Sequence, residues 1–185
     1  NQPFEDKELH LSMVYNGCIY NYKELRSTLI QKGHVFKTSG DTEVVLKAYK
    51  EWGYECLKKF EGDFALAIWD SKNRKLFLAR DRFGIKPLYL YRNKNTFFVS
   101  SEIKAFLPFS LEDSNWSFNS NFLKEYIMFR DLSGENTFIQ NVKKILPGYT
   151  MKIDQNLNIT RKKYFNLSVP NHEINKLSLN ENVEY

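Results

Sequence analysis

The chain has 185 residues, 42% of them hydrophobic and 16% aromatic, which is typical of a packed globular domain and excludes an intrinsically disordered chain. Its net charge is +5, of which +3 falls at positions 139–185, where 7 Lys/Arg stand against 4 Asp/Glu. Because charges of both signs alternate over the remainder, the sequence has no basic stripe of the kind that binds nucleic acid.

A strand and a helix are predicted first. The stretch LHLSMVY alternates apolar residues at positions 9, 11, 13 and 15, which predicts a half-buried strand. Asn16-Gly17 follows directly. Asn21, with Glu24 three residues later, is typical of a helix start with a capping box, and Gly33 is a typical helix end. The expected apolar stripe of this helix consists of Leu25, Leu29 and Ile30.

A second helix is predicted in the stretch TSGDTEVVLKAYKEWG. Asp41 or Thr42 is expected to cap its beginning, and Gly53 is expected to end it. A short third helix is predicted over 54–60, with Cys56 as a small buried core residue.

The hydrophobic pattern then changes to that of strands. FALAIW and LFLA, joined by a polar turn over 70–74, are apolar on both faces, and LYLYRNKNTFFVSS predicts a second hairpin around positions 93–95. SSEIKAFL and NSNFLKEYIMF predict short helical segments, and ILPGYTMKI predicts one more strand before an Asn-rich tail. The order of elements indicates an α+β fold of stacked sheets flanked by helices.

Two positions suggest chemistry. Asn16-Gly17 is typical of a tight turn, yet an Asn amide and a backbone N–H projecting from one strand end are also donors suited to an oxyanion. Asp41 is either a helix cap or a carboxylate that binds an ammonium group. These alternatives remain open on spacing alone.

Other classes of site find little support. Cys18 and Cys56 are too few for a disulfide framework, and the isolated His10, His34 and His172 lack metal-ligand spacing. No apolar run approaches the roughly 20 residues that span a bilayer. A reduced, cytoplasmic protein without a membrane or nucleic-acid partner is therefore expected.

Five segments carry a family resemblance in collinear order: YNGCIYNYKELR, GHVFKTSGDTEVVLKAYKEWG, FEGDFALAIWD, LFLARDRFGIKPLYLY and SSEIKAF. Together they resemble the class II glutamine amidotransferase domain of asparagine synthetases over nearly all of Asn1 to about Ile153. The later stretch ENTFIQNVKKILPGYTMKI…YF is similar to the part of those enzymes that leads towards the synthetase domain.

The resemblance implies a four-layer αββα sandwich of the N-terminal-nucleophile hydrolase type, in which an N-terminal cysteine hydrolyses glutamine through a thioester. Ammonia then reaches an aspartate that the synthetase domain has activated with ATP and Mg. Asn16 and Gly17 match the oxyanion-hole pair, and Asp41 matches the carboxylate for the α-ammonium of glutamine. Arg80, Asp81 and Lys86 match a family hallmark that we interpret as a salt-bridged turn.

The sequence also departs from the family pattern. Cys18 stands where these enzymes ordinarily have a glutamate that helps to bind the substrate, so the glutamine pocket is either weakened or no longer used, or Cys18 is itself a nucleophile. The N-terminal cysteine, the arginine of an RLSI-like strand and the SGGxDS loop that binds pyrophosphate are not found in the chain.

We therefore expect residues 1–165 to form an amidotransferase domain that lacks its first strands, residues 166–185 to be a linker, and the chain alone to be inactive. The expected partners are glutamine, the synthetase domain and, as is common in this family, a second copy in a homodimer. The alternatives are a catalytically dead scaffold and an amidotransferase with another carboxylate acceptor.

Overall fold

The computed structural model describes residues 2–110 and 116–167. The strands are β1 (Phe4–Asp6), β2 (Leu11–Ile19), β3 (Gly62–Asp70), β4 (Lys75–Arg80), β5 (Tyr89–Asn93), β6 (Thr96–Ser100), β7 (Val142–Lys144), β8 (Tyr149–Ile153) and β9 (Ile159–Lys163). The helices are α1 (Tyr22–Gln31), α2 (Asp41–Trp52), α3 (Cys56–Lys59), α4 (Leu107–Ser110) and α5 (Leu123–Phe129). Turns of 3-10 helix (Gly53–Glu55, Ile103–Phe106 and Ser120–Phe122) precede α3, α4 and α5.

Two antiparallel sheets form the centre of the fold. One has six strands in the order β1-β2-β3-β4-β8-β9, and the other has three in the order β6-β5-β7. The strand β3 runs along the whole of β2, from Leu11 opposite Asp70 to Ile19 opposite Gly62. In contrast, β1 pairs only with positions 11–13 of β2, and no other strand of the described residues lies along the rest of that edge.

Alternation along β3 explains the layers. Phe64, Leu66 and Ile68 face α1, α2 and α3, whereas Ala65 and Ala67 face the smaller sheet. The small alanines let the two sheets approach each other, as expected for a strand covered on both sides. The predicted two-sided burial of FALAIW is confirmed for positions 64–68, whereas Trp69 is 43% exposed.

The smaller sheet is covered on its outer side by the helical turn Ile103–Phe106. Phe106 packs there against Tyr91 of β5 and Val142 of β7. The layers are therefore helices, sheet, sheet and a short helical segment, which confirms the predicted α+β sandwich. Of the predicted linker over 166–185, the part from 168 onward lies outside the described residues, and the boundary at 165 stays a prediction.

The predicted helix caps are wrong in detail. Asn21 occupies the N-cap position of α1, but its side chain binds the backbone of Lys59 and Glu61 and makes no cap hydrogen bond. Gly40 is the N-cap residue of α2, and Asp41 is the first helical residue. The Asn21 side chain links the start of α1 to the segment between α3 and β3, and the Asp41 side chain links the start of α2 to β2.

The apolar stripe predicted for α1 is only partly confirmed. Leu25 and Leu29 are buried, whereas Ile30 is 54% exposed and lies outside the core.

Asn16-Gly17 does not form a tight turn, because β2 continues through both residues to Ile19. Gly17 is required there for close backbone approach, since a Cβ at this position would lie 2.1 Å from the carbonyl oxygen of Asp63. Gly62 has the reciprocal restriction, with a Cβ 2.1 Å from the carbonyl oxygen of Cys18. The two glycines keep the end of β2 tightly paired with β3.

The prediction that salt bridges hold the hallmark turn after β4 is wrong. Asp81 is 1% exposed and accepts hydrogen bonds from the backbone N–H groups of Phe83, Ile85 and Lys86. Arg80 instead donates to backbone carbonyls, among them that of Lys86. The two charged side chains therefore form a turn through the backbone rather than with each other.

Candidate functional site at the open edge of β2

The direction of the backbone N–H groups at the end of β2 follows from one bond. The N–H of Tyr20 points to β3 and donates to the carbonyl of Glu61 at 2.7 Å. Successive residues of a strand point their N–H groups to opposite sides. Odd-numbered Tyr15, Gly17 and Ile19 therefore point theirs away from β3, to the edge that β1 leaves open.

Two side chains occupy this edge on either side of Gly17. The carboxamide of Gln2 accepts from the N–H of Tyr15 at 2.9 Å and donates to the carbonyl of Tyr15, as a neighbouring strand would. Asp41 accepts from the N–H of Ile19 with Oδ2, at 3.0 Å. The N–H of Gly17 thus projects between a carboxamide and a carboxylate.

Asp41 is held by a second donor from the core. The Tyr15 hydroxyl donates to the same Oδ2 at 2.7 Å. Burial raises the pKa of Tyr15, and the hydrogen bond to Asp41 raises it further. The phenol therefore keeps its proton and stays a hydrogen-bond donor to Asp41.

Asn16 and Cys18 lie on the face of β2 that turns towards the smaller sheet, opposite to the helix-facing Tyr15 and Ile19. Between the two sheets lies a cavity of about 250 Å³. Its lining includes Gln2, Val14, Asn16, Ala65, Ala67, Leu88, Val99, Ser100 and Ser101. The side chain of Asn16 therefore meets this cavity, close to the open edge.

The two cysteines have different surroundings. Cys56 is 1% exposed, and burial raises the pKa of its thiol, which confirms its prediction as a core residue. Cys18 is exposed and pairs across the ladder with Asp63, whose carboxylate accepts a 2.7 Å hydrogen bond from Tyr20. The residue opposite Cys18 is thus an acid, whereas a basic group is what activates a cysteine nucleophile.

Three residues of this region were not predicted from the sequence. No local sequence pattern marks Gln2 as a residue of the site. Tyr15 was assigned only to the core, although a buried tyrosine hydroxyl requires a partner. Glu43 in the first turn of α2 has the acidic signature of a helix start, and its side chain binds the preceding loop at positions 37–38.

Within residues 2–110 and 116–167 there is no group of three or more His, Cys, Asp or Glu side chains that could hold a metal ion. In the same part of the chain, every helix is too short or too polar to cross a membrane.

Comparison with known proteins gives the family. Residues 1–165 match the family described as glutamine amidotransferase domain. The chain is 35% identical over 164 residues to asparagine synthetase [glutamine-hydrolyzing] 1 of Bacillus subtilis, covering 89% of this chain and 26% of that protein. It is 34% identical over 173 residues to Amidase chry2 of Gibberella zeae, covering 92% and 24% respectively. The chain thus spans about a quarter of the length of these relatives.

Solved structures share the fold. The glutamine phosphoribosylpyrophosphate amidotransferase of B. subtilis superimposes with a TM-score of 0.62 at 20% identity, covering 89% of this chain and 32% of that one. A class-II domain protein of Silicibacter pomeroyi gives 0.52 at 14% identity, covering 89% and 70%. The chain belongs to the glutamine amidotransferase domain family, is related to glutamine-hydrolysing asparagine synthetases, and has the N-terminal-nucleophile fold of class II amidotransferases.

Proposed function

We propose that this chain is the glutaminase part of an asparagine-synthetase-like enzyme. In this proposal the enzyme hydrolyses glutamine to glutamate and ammonia and transfers the ammonia to an aspartate activated with ATP. The observation that carries the proposal is the edge of β2, where the N–H of Gly17 projects next to the carboxylate of Asp41. An oxyanion donor and an ammonium acceptor are the two groups that a glutamine pocket needs at opposite ends of its substrate.

The oxyanion hole is assigned to Asn16 and Gly17. The thiolate of a cysteine attacks the side-chain amide carbon of glutamine, and the amide oxygen becomes negative. The N–H of Gly17 and the carboxamide of Asn16 donate to this oxygen, and such a donor contributes on the order of 10²–10³ in rate. The C–N bond then breaks, the nitrogen takes a proton and leaves as ammonia, and water cleaves the thioester to give glutamate and the free thiol.

The substrate's α-ammonium is assigned to Asp41. Its Oδ2 is fixed by the Tyr15 hydroxyl and the Ile19 N–H, so the carboxylate is oriented before a substrate arrives. Preorganised charge of this kind binds a cation more strongly than a mobile side chain does. Cys18 lies on the adjacent face and supplies no charge, so we expect glutamine to bind through Asp41 more weakly than with a glutamate at position 18.

The nucleophile is proposed to be a cysteine outside these 185 residues. Cys56 is buried in the core, and Cys18 lies opposite an acid. We therefore expect the 185-residue chain alone to release no glutamate from glutamine above the uncatalysed rate.

The remaining components are proposals of the same kind. They are a synthetase domain that binds ATP and Mg, a homodimer and a cytoplasmic location. The acceptor is proposed to be aspartate because the curated relatives include several asparagine synthetases. A relative named as an amidase favours a second candidate, an amidotransferase that acts on another carboxylate.

The test uses the full-length protein and glutamine with heavy nitrogen in the side-chain amide. The proposal expects glutamate formation and heavy nitrogen in asparagine when aspartate and ATP are present. Glutamate formation without asparagine, but with label in another supplied carboxylic acid, would favour the second candidate. No glutamate formation, with synthesis from free ammonia only, would support a catalytically dead amidotransferase domain.

A further inference from the structure

Glu43 occupies an unusual place for an acidic residue. It is 2% exposed and lies in the first turn of α2, two positions after Asp41. A buried carboxylate is costly unless donors surround it. The partners of Glu43 therefore show what its burial achieves.

Those partners belong to the loop before α2. Both carboxylate oxygens accept from the N–H of Lys37 at 3.0 Å, and Oε2 also accepts from the N–H and hydroxyl of Thr38 at 2.7 and 2.8 Å. Hydrogen bonds of backbone donors to a charged acceptor are among the stronger ones in proteins. Glu43 thereby holds the loop that leads through Gly40 into Asp41.

A cation extends this network to the sheet. Lys47, one turn further along α2, lies 3.8 Å from Glu43 and 3.3 Å from Asp6 of β1. Strand β1 pairs with β2 at positions 11–13. The start of α2 is consequently fixed both to its own loop and, through Lys47, to the strand beside β2.

We infer that Glu43 is the positioning residue of the site, because it fixes the first turn of α2 so that Asp41 reaches the open edge of β2. This inference rests on the proposed function for its kinetic consequence, but its structural part does not. Asp41 meets β2 at the N–H of Ile19, and this bond reports directly on the position of α2. Loss of the Glu43 contacts should loosen that bond while leaving the buried middle of α2 packed.

The chain offers a matched control on the same helix. Glu51 binds the side chains of Lys32 at 2.9 Å and His34 at 3.0 Å, but lies at the end of α2 remote from Asp41. Glu43→Gln and Glu51→Gln each remove one charge and preserve side-chain size. A general effect of charge loss on α2 would appear in both variants.

The first test is hydrogen–deuterium exchange of the full-length protein with residue-level resolution. Glu43→Gln should increase exchange at Ile19, Lys37 and Thr38 by at least about tenfold, because each amide loses a carboxylate acceptor or its alignment. Glu51→Gln should leave these three amides unchanged. Unchanged protection of Ile19 in Glu43→Gln would overturn the inference, whatever the activity of the protein.

The second test is a kinetic cycle with Asp41→Asn. If Glu43 acts through Asp41, Glu43→Gln raises KM for glutamine by about 5- to 50-fold, and the double variant is no worse than Asp41→Asn alone. Glutaramate, which lacks the α-ammonium, should be hydrolysed equally by wild type and Glu43→Gln. Additive losses, or an equal loss with glutaramate, would overturn the positioning role. If the wild-type protein releases no glutamate, the proposed function is contradicted. The hydrogen–deuterium exchange experiment then decides by itself whether Glu43 positions Asp41.

Discussion

The Tyr15 hydroxyl donates a 2.7 Å hydrogen bond to Oδ2 of Asp41, and this bond connects the buried face of β2 to the first residue of α2. The same oxygen accepts from the N–H of Ile19, four residues further along β2. Asp41 therefore bridges two points of one strand, with Gly17 midway between them. In the proposed function, this bridge orients the carboxylate of Asp41 towards the ammonium group of the substrate.

Replacing Tyr15 with Phe should weaken the site without unfolding the protein. Asp41 keeps its bond to Ile19 but loses one donor, so we expect KM for glutamine to rise by about 5- to 10-fold with little change in kcat. Both kinetic constants are measured from the rate of glutamate release by the full-length protein. Tyr49→Phe is the matched control on α2, and an equal change in both variants would contradict a specific role for Tyr15.

Adding a methyl group at Gly17 should separate β2 from β3. In Gly17→Ala the new Cβ would lie 2.1 Å from the Asp63 carbonyl, so the strands must move apart. We expect a loss of unfolding free energy of about 2–3 kcal/mol for the 185-residue chain by denaturant titration. Gly40→Ala, where no atom lies within 4 Å of the new Cβ, should cost less than about 1 kcal/mol. Equal losses would contradict the close approach of the strands.

The network around Glu43 predicts an acid-sensitive fold. Burial opposes ionisation of Glu43, but the donors at Lys37 and Thr38, together with Lys47, lower its pKa below the ordinary 4.5. Burial likewise opposes ionisation of Asp6, while the Leu9 N–H and the positive charges of Lys47 and Lys37 lower its pKa below 3.8. A lowered pKa in the folded state gives stability that is present above the unfolded value and is lost as the pH falls through the folded value.

Unfolding free energy of the 185-residue chain should therefore stay high from neutral pH to about pH 5 and decrease below pH 4.5. Glu43→Gln should be less stable at neutral pH and show a smaller decrease in acid. A pH dependence in Glu43→Gln identical to that of the wild type would contradict the linkage.

Substitutions at Cys18 test whether the pocket still binds glutamine. Cys18→Glu places a carboxylate beside Asn16, and we expect KM for glutamine to fall by about 3- to 10-fold because a second charge attracts the α-ammonium. Cys18→Gln, of equal size but neutral, should not lower it. Cys18→Ser should retain glutaminase activity, and complete loss in that variant would show that the Cys18 thiol is the nucleophile.

Much of the fold could be predicted from local patterns. The strand FALAIW was recognised because apolar residues on both faces need cover on both sides, and the structure supplies helices on one side and a sheet on the other. Gly53, with φ of 56°, ends α2 as predicted. The strands β1, β7 and β9 were not predicted, since three to five residues of mixed polarity carry no clear alternation.

The candidate site was harder to predict from the sequence than the fold, because its contacts join residues that are far apart in the chain. Asp41 looked like a helix cap, and nothing within a few residues reveals that its partners lie 22 and 26 positions earlier. Asn16-Gly17 looked like a turn because both residues tolerate unusual backbone angles. Only the pairing of β2 with β3 shows that Gly17 is there for close approach, and only the shortness of β1 shows that its N–H meets an open edge.

The central claim is tested most directly by Asp41→Asn in the full-length protein, with nitrogen supplied either as glutamine or as free ammonia. The account predicts that kcat/KM for glutamine falls by about 10- to 100-fold, since a charge-assisted contact to the substrate is lost, while ammonia-dependent synthesis is unchanged. Equal rates of glutamate release by wild type and Asp41→Asn would contradict it.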